Sequence, residues 1–102
     1  MAVELTVRKL LTIISESALE DTLIREIEAL GAHGYTVTEA RGKGGHGKRD
    51  ASWAPHGNIR LEVLCSHATA LAICETLRDR YYANYSMIMF LSEVEVLRPQ
   101  KF

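Results

Sequence analysis

The stretch from Gly31 to Gly47, GAHGYTVTEARGKGGHG, delivers several glycines and basic side chains to one end of an extended segment. The basic residues in it and just after it are Arg41, Lys43, Lys48 and Arg49. Backbone N–H groups that no side chain covers, together with Arg and Lys head groups, can converge on a phosphate or another anion. The pattern predicts an anion-binding loop, and a solvated hairpin tip of similar composition stays open as the alternative.

The familiar catalytic and nucleotide motifs do not fit this region. Neither the GxGxxG motif nor GxxxxGK[ST] fits in its structural context, because the glycines follow a strand of a hairpin and no helix starts directly after them. Cys65, Ser66 and His67 are adjacent, but consecutive residues at a strand end point in different directions, and no nucleophile elbow surrounds them. We therefore expect that the protein is not an enzyme and has no catalytic residues.

The histidines and cysteines allow a metal hypothesis that the spacing does not favour. His46 and His56 share the loop, and Asp50 or Glu39 could join them, yet this spacing is not that of an established zinc set. Cys65 and Cys74 match neither a CxxC motif nor a zinc knuckle. We expect both cysteines to be small buried hydrophobic residues and no metal to be bound.

Composition bounds the class of protein. The chain has 102 residues, 47% of them hydrophobic, and a formal net charge of −1, so we expect one domain over residues 1–102 and no general attraction to nucleic acid or anionic membranes. No apolar run approaches the roughly 20 residues that cross a bilayer, and the first residues do not resemble a secretion signal. We expect a cytoplasmic location.

The hydrophobic pattern predicts elements in the order strand, helix, strand, strand, helix, strand. Ser17 and Glu20 form a capping box before the first helix, Gly31 ends that helix, and Ser66 caps the second helix. The strands are predicted at residues 5–15, 35–41, 58–65 and 87–97, with a long hairpin loop at residues 42–57.

This order predicts an α+β fold of the ferredoxin-like βαββαβ type, with four antiparallel strands and two helices on one face of the sheet. The opposite face would be uncovered. Apolar residues that cannot all point at the helices include Val37, Leu64, Phe90 and Val94. We expect another subunit to cover that face.

Several short segments resemble the PII signalling proteins. Gly34–Glu39 followed by Arg41–Gly44 is similar to their second strand and the start of the loop after it, and Arg60–Leu64 is similar to their third strand. The GYTV and GKG segments, with Glu95–Leu97 near the end of the last strand, resemble the SbtB and carboxysome-associated branch. The resemblance covers nearly the whole chain.

The resemblance implies a homotrimer that binds adenine nucleotides in the clefts between subunits. The loop at residues 42–57, the T-loop of that family, would change with the ligand and control a membrane transporter or an enzyme. In the SbtB-like branch this implies control of inorganic-carbon uptake, with ADP, AMP, ATP or cyclic AMP as ligand and bicarbonate as a candidate second ligand. We hypothesise that a partner reads the change through Trp53 and its neighbours.

The same resemblance assigns roles to particular residues. Thr36, Gly42 and Gly44 would line the cleft, and Glu62 and Leu64 would lie near the base and ribose. The full implied nucleotide-binding set is Thr36, Arg41, Gly42, Lys43, Gly44, Gly45, His46, Arg49, Glu62, Leu64 and Arg98. Arg41, Lys43, His46 and Arg49 are its candidates for phosphate or bicarbonate, and Arg98 would approach from the last strand.

One segment departs from the PII pattern. The phosphate-holding loop between the second helix and the last strand reads Tyr82-Ala83-Asn84-Tyr85-Ser86, without glycine or lysine. This favours ADP and AMP over ATP. Two rival hypotheses stay open: a CutA-like trimeric divalent-metal binder using His46, His56 and Cys65, and a small enzyme acting at the subunit cleft.

Overall fold

Two helices pack against one side of a four-stranded antiparallel sheet in the computed structural model, which describes residues 2–42 and 57–102. The strands are β1 (Thr6–Glu16), β2 (Thr36–Ala40), β3 (Asn58–Cys65) and β4 (Ile88–Val96), and the helices are α1 (Glu20–Ala29) and α2 (His67–Tyr81). Short 3-10 turns cover Ser17–Leu19 and Pro99–Lys101. The order along the chain confirms the ferredoxin-like prediction.

The sheet order is β2-β3-β1-β4, with every neighbouring pair antiparallel. Because side chains alternate across a strand, residues opposite each other in the ladder share a face. Leu11 lies opposite Val63 and Ile13 opposite Leu61, and all four are buried under the helices. From α1 and α2 the fully buried residues are Leu23, Ile27, Ala70, Ile73 and Leu77.

The other side of the sheet, here called the open face, carries the alternate residues of each strand. These residues include Leu10, Thr12, Ile14, Thr36, Thr38, Arg60, Glu62, Leu64, Ile88, Phe90, Ser92 and Val94. Ile88 and Phe90 are each 46% exposed there. The prediction of an apolar uncovered face is thus confirmed for Leu64, Phe90 and Val94, whereas Val37 packs against the core.

Two of the three helix-boundary predictions are confirmed. The Ser66 Oγ accepts a hydrogen bond from the Thr69 N–H at 3.2 Å and caps α2. Gly31 ends α1 with φ of 108°. The Ala32 N–H donates to the Ile27 carbonyl at 3.0 Å and the Gly31 N–H donates to the Glu28 carbonyl at 3.2 Å, which together form a Schellman motif.

The predicted capping box at the start of α1 is wrong. Ser17 opens a 3-10 turn, α1 begins only at Glu20, and its capping residue Leu19 makes no side-chain cap hydrogen bond. The Ser17 N–H instead donates to the Gly57 carbonyl at 3.2 Å, which ties the end of β1 to the segment that enters β3. A tertiary contact therefore replaces the local motif.

Neither α1 nor α2 has the length and apolarity of a membrane-crossing helix, and the described residues contain no other candidate.

Candidate functional site

A cleft of about 570 Å³ lies on the open face, between the start of β2 and the C-terminal 3-10 turn. It is lined by Leu10, His33, Gly34, Tyr35, Thr36, Glu62, Leu64, Val94, Glu95, Val96, Lys101 and Phe102. Three of the predicted binding residues, Thr36, Glu62 and Leu64, meet here. Strands that are distant in sequence therefore bring part of the predicted set together.

Ladder pairing explains why these three residues are neighbours. Thr36 lies directly opposite Glu62 in the β2–β3 pair, and Leu64 follows two positions along β3 on the same face. Leu64 in turn lies opposite Leu10 of β1. With Val94 from β4, these leucines give the cleft an apolar base, which suits a planar ring.

The wall of the cleft is formed by the chain that enters β2, an edge strand of the sheet. An edge strand presents backbone N–H and C=O groups that the sheet itself does not use. Gly34 adds room beside them, because a Cβ built there meets no heavy atom within 4 Å. A ligand can therefore approach the backbone of His33–Tyr35 closely and exchange hydrogen bonds with it.

The charged groups of the cleft are mixed in sign. Glu62 and Glu95 contribute carboxylates, and His33 and Lys101 contribute basic side chains. The Glu62 Oε2 lies 3.4 Å from the Arg60 Nε, and both side chains stay partly exposed, at 31% and 43%. The Glu62 carboxylate can accept hydrogen bonds from hydroxyl groups such as those of a ribose.

The C-terminal turn closes one side of the cleft. The Arg8 guanidinium donates to the Pro99 carbonyl at 3.4 Å, and the Phe102 N–H donates to the same carbonyl oxygen at 3.1 Å. These bonds hold the turn against β1, so that Lys101 and Phe102 face the cleft. No sequence pattern indicated these two residues, because a 3-10 turn of three residues has no periodicity.

The remaining predicted residues lie elsewhere. Arg41 and Gly42 are exposed beyond the end of β2, Arg98 is exposed just before the C-terminal turn, and none of the three lines the cleft. Lys43, Gly44, Gly45, His46 and Arg49 lie outside the described residues, as do Trp53 and His56. Conversely, His33, Tyr35, Lys101 and Phe102 line the cleft without having been predicted as binding residues.

The environment of Cys65 argues against the metal hypothesis. Cys65 is 3% exposed and belongs to the hydrophobic core. Burial, with a smaller contribution from Cys74, raises the pKa of the Cys65 thiol, and burial also raises the pKa of Cys74. Because a metal ligand must be a thiolate, this environment disfavours coordination by Cys65. Over residues 2–42 and 57–102, no three His, Cys, Asp or Glu side chains cluster in a way that could hold a metal ion.

The sequence and the fold of this chain are similar to those of known proteins. The family model of nitrogen regulatory protein P-II matches residues 8–101. A PII-like signalling protein from Thermus thermophilus is 40% identical, over 97% of this chain and 98% of that chain, with a TM-score of 0.83.

Two further solved structures are similar. CPII from Thiomonas intermedia, a nitrogen regulatory PII-like protein whose structure holds ADP, AMP and bicarbonate, is 26% identical over 99% of this chain and 98% of that chain, with a TM-score of 0.87. The GlnK–ATP complex of B. subtilis is 14% identical over 86% of this chain and 82% of that chain, with a TM-score of 0.64, and shares the fold.

Proposed function

Since this chain belongs to the nitrogen regulatory protein P-II family, we propose that it is a PII-like signal-transduction regulator that binds adenine nucleotides in the cleft on its open face. One observation carries the proposal: the cleft joins an apolar base, an exposed strand edge and the Glu62 carboxylate in one place. The ligands found with CPII, which include ADP and AMP, support the same class of ligand. We further propose a cytoplasmic protein that is not an enzyme.

The cleft suits the adenosine part of such a ligand. Leu10, Leu64 and Val94 would contact the faces of the adenine ring. Adenine presents a donor and an acceptor on one edge, which match the backbone N–H and C=O groups of His33–Tyr35, the segment that leads into the edge strand β2. Thr36 and Glu62 would then hydrogen-bond the base edge and the ribose hydroxyls.

The phosphates would extend toward the T-loop. Arg41 lies five residues beyond Thr36, about 16 Å along an extended strand, which is comparable with the length of a nucleotide. We propose that Arg41, Gly42, Lys43, Gly44, Gly45, His46 and Arg49 form the phosphate and bicarbonate end of the site, with Arg98 as a further cation. ADP and AMP are favoured because the turn after α2, Tyr82–Ser86, has no glycine or lysine for a longer phosphate chain.

The uncovered sheet favours a homotrimer in which each cleft lies between two subunits. Ile88 and Phe90 are exposed on the open face, and exposure of such large apolar side chains to water is unfavourable for a monomer. A neighbouring copy would cover them and would also complete the cleft. In an assembly with closed rotational symmetry, the open face of every copy is covered in the same way.

We propose inorganic-carbon uptake as the regulated process, as in the SbtB and carboxysome-associated branch that the chain resembles. The bicarbonate found with CPII supports it as a ligand of this fold. A membrane bicarbonate transporter would be the partner, and it would read the T-loop, including Trp53. The nucleotide state would set the conformation of that loop through its differential affinity for loop groups.

Calorimetry tests the binding proposal directly. The purified protein is titrated with AMP, ADP, ATP and cyclic AMP, then with the preferred nucleotide in the presence of bicarbonate, and with GMP as the matched control. We expect micromolar binding of AMP or ADP and none of GMP, because guanine reverses the donor and acceptor on the ring edge. Absence of binding by all four adenine nucleotides would refute the proposal.

The transport proposal needs a separate experiment. Uptake of labelled bicarbonate is compared in cells of the native organism with and without the gene, at low and high inorganic carbon. A gene-dependent difference supports control of uptake, and equal uptake under both conditions contradicts it while leaving nucleotide binding untouched.

A further inference from the structure

A line of four exposed side chains runs along the outer surface of α2. The α2 stripe consists of Leu71, Glu75, Arg78 and Tyr82, and their spacing puts them on one side of the helix. Leu71 is 43% and Tyr82 is 44% exposed. Tyr82 caps α2 with helical dihedral angles, so the stripe stays regular to its end. The stripe borders a groove of about 310 Å³ whose lining also includes Cys74 and Met89.

The stripe is complementary to a second copy of itself. If two α2 helices lie antiparallel across a two-fold axis that passes between Thr76 and Leu77, Leu71 of each copy faces Tyr82 of the other. Glu75 of each copy then faces Arg78 of the other. The two charged pairs occupy the centre and the two apolar pairs the ends, over about 16 Å of helix. We propose that two copies of this chain associate through this antiparallel α2 contact.

The charges at the centre suit such a contact. Within one chain the Arg78 Nε donates to the Asp79 Oδ1 at 2.9 Å, and both side chains are well exposed. This hydrogen bond, reinforced by the charges of Asp79 and Glu75, raises the pKa of Arg78. A guanidinium has five N–H donors, so Arg78 can bind a second carboxylate on its other nitrogens. The Glu75 carboxylate of the second copy is the group that the two-fold axis places there.

The α2 contact does not compete with the nucleotide cleft. α2 covers the side of the sheet opposite the open face, whereas the cleft and the exposed Phe90 lie on the open face itself. Each unit that forms through the open face would therefore present its α2 stripes outward. The association rests on the stripe alone and is independent of the proposed nucleotide binding.

Sedimentation velocity of charge variants tests the contact, over protein concentrations from about 1 µM to about 1 mM, the range of weak to moderate affinities. The mass of the wild-type protein should rise with concentration, above that of the unit that forms through the open face. Arg78→Glu and Glu75→Arg should each weaken this further association by roughly tenfold or more, because two attractive pairs become two repulsive ones. Mixing the two variants should restore it, since each copy then offers the charge that the other requires.

The controls separate the contact from general charge effects. Arg25→Glu and Glu28→Arg make the same charge changes at exposed positions of α1 and should leave the further association unchanged. Melting temperatures identify any variant that fails to fold. A wild-type mass that does not rise with concentration, or single variants whose mass rises like that of the wild type, would overturn the proposal. Failure of the mixed variants to associate would equally overturn the antiparallel pairing.

Discussion

Thr36 and Glu62 lie far apart in the sequence, but they become partners because β2 and β3 pair antiparallel across a long hairpin. The register of the strands also determines the neighbouring pairs on the same face of the sheet. Thr38 lies opposite Arg60, and Leu64 lies opposite Leu10. Thr36 lines the cleft, whereas Thr38, two residues further along the strand, does not. This difference gives a matched pair of residues with which to test the site.

Thr36→Val should weaken the binding of AMP or ADP by about three- to tenfold, the loss of one hydrogen bond. Valine keeps the shape of the side chain and favours strands, so the melting temperature should stay the same. Calorimetry measures the affinity. Thr38→Val is the matched control and should bind as the wild type does. Equal affinities for both variants would remove the Thr36 hydroxyl from the site.

The elements are held by contacts at their ends as much as by their core. α1 ends in the Schellman motif at Gly31, and α2 begins at the Ser66 cap. Near its other end α2 is joined to α1, because the Glu26 carboxylate accepts hydrogen bonds from the Arg80 guanidinium and the Tyr81 hydroxyl. These contacts fix the helices over the sheet whose opposite face carries the cleft.

Gly31→Ala should lower the free energy of unfolding by about 1 kcal/mol, because φ of 108° is unfavourable for any side chain. Space is not the cause, since the nearest atom to an added Cβ is the Thr69 Oγ1 at 3.7 Å. Denaturant unfolding measures the change. Gly34→Ala is the control, with a φ outside the positive region and nothing within 4 Å of the added Cβ, and it should be close to neutral for stability.

Tyr81 should give the protein a distinct alkaline transition. Desolvation, then the hydrogen bond to Glu26, raises the pKa of Tyr81 to about 12 from 10.0. The folded state therefore holds the phenol proton more tightly than the unfolded state. The resulting stabilisation is fully present below pH 10 and disappears as the pH rises toward 12.

Unfolding free energies measured between pH 9 and pH 12 check this expectation, together with the ultraviolet absorbance of tyrosinate. Tyr81→Phe should flatten the decline in stability and remove the phenol whose pKa is about 12. Tyr82→Phe alters a tyrosine that is 44% exposed and serves as the control. If Tyr81→Phe declines with pH as steeply as the wild type, the contact between Tyr81 and Glu26 does not stabilise the fold.

At the scale of the whole molecule, the two faces of the sheet differ in what covers them. One face is covered by α1 and α2, and the other carries the cleft and leaves Ile88 and Phe90 exposed. We expect the assembly of the protein to be decided by this open face and by the α2 stripe on the opposite side. The two surfaces can be tested independently because they share no residue.

Phe90→Glu should reduce the mass of the protein from three chains to one, because a carboxylate on the open face cannot be buried against a neighbour without a large desolvation cost. Light scattering measures the mass, in the Arg78→Glu background so that the α2 contact does not contribute. Val3→Glu, at a residue that is 67% exposed and precedes β1, is the control. A wild-type mass of one chain would contradict the trimer, and loss of nucleotide binding in Phe90→Glu would support a cleft between subunits.

The sequence by itself determined the order of the elements and the bounds of the strands. The alternation of apolar and polar residues along a strand and the caps at Gly31 and Ser66 are local properties of the sequence. Every predicted strand end lies within one residue of the observed one. The capping box predicted at Ser17 is wrong because a tertiary contact decides the local structure there. The Ser17 N–H donates a hydrogen bond to the carbonyl of Gly57, a residue far along the chain.

Only the tertiary structure decided which residues share the cleft. The register of β2 and β3 places Thr36 opposite Glu62. The hydrogen bond from Arg8 to the Pro99 carbonyl holds the C-terminal turn, with Lys101 and Phe102, against the sheet. Arg41 and Arg98 lie beyond the paired residues of β2 and β4 and outside the lining. Periodicity specifies the direction of a side chain within its own strand, but proximity between strands depends on pairing and on chain reversals, which local patterns do not encode.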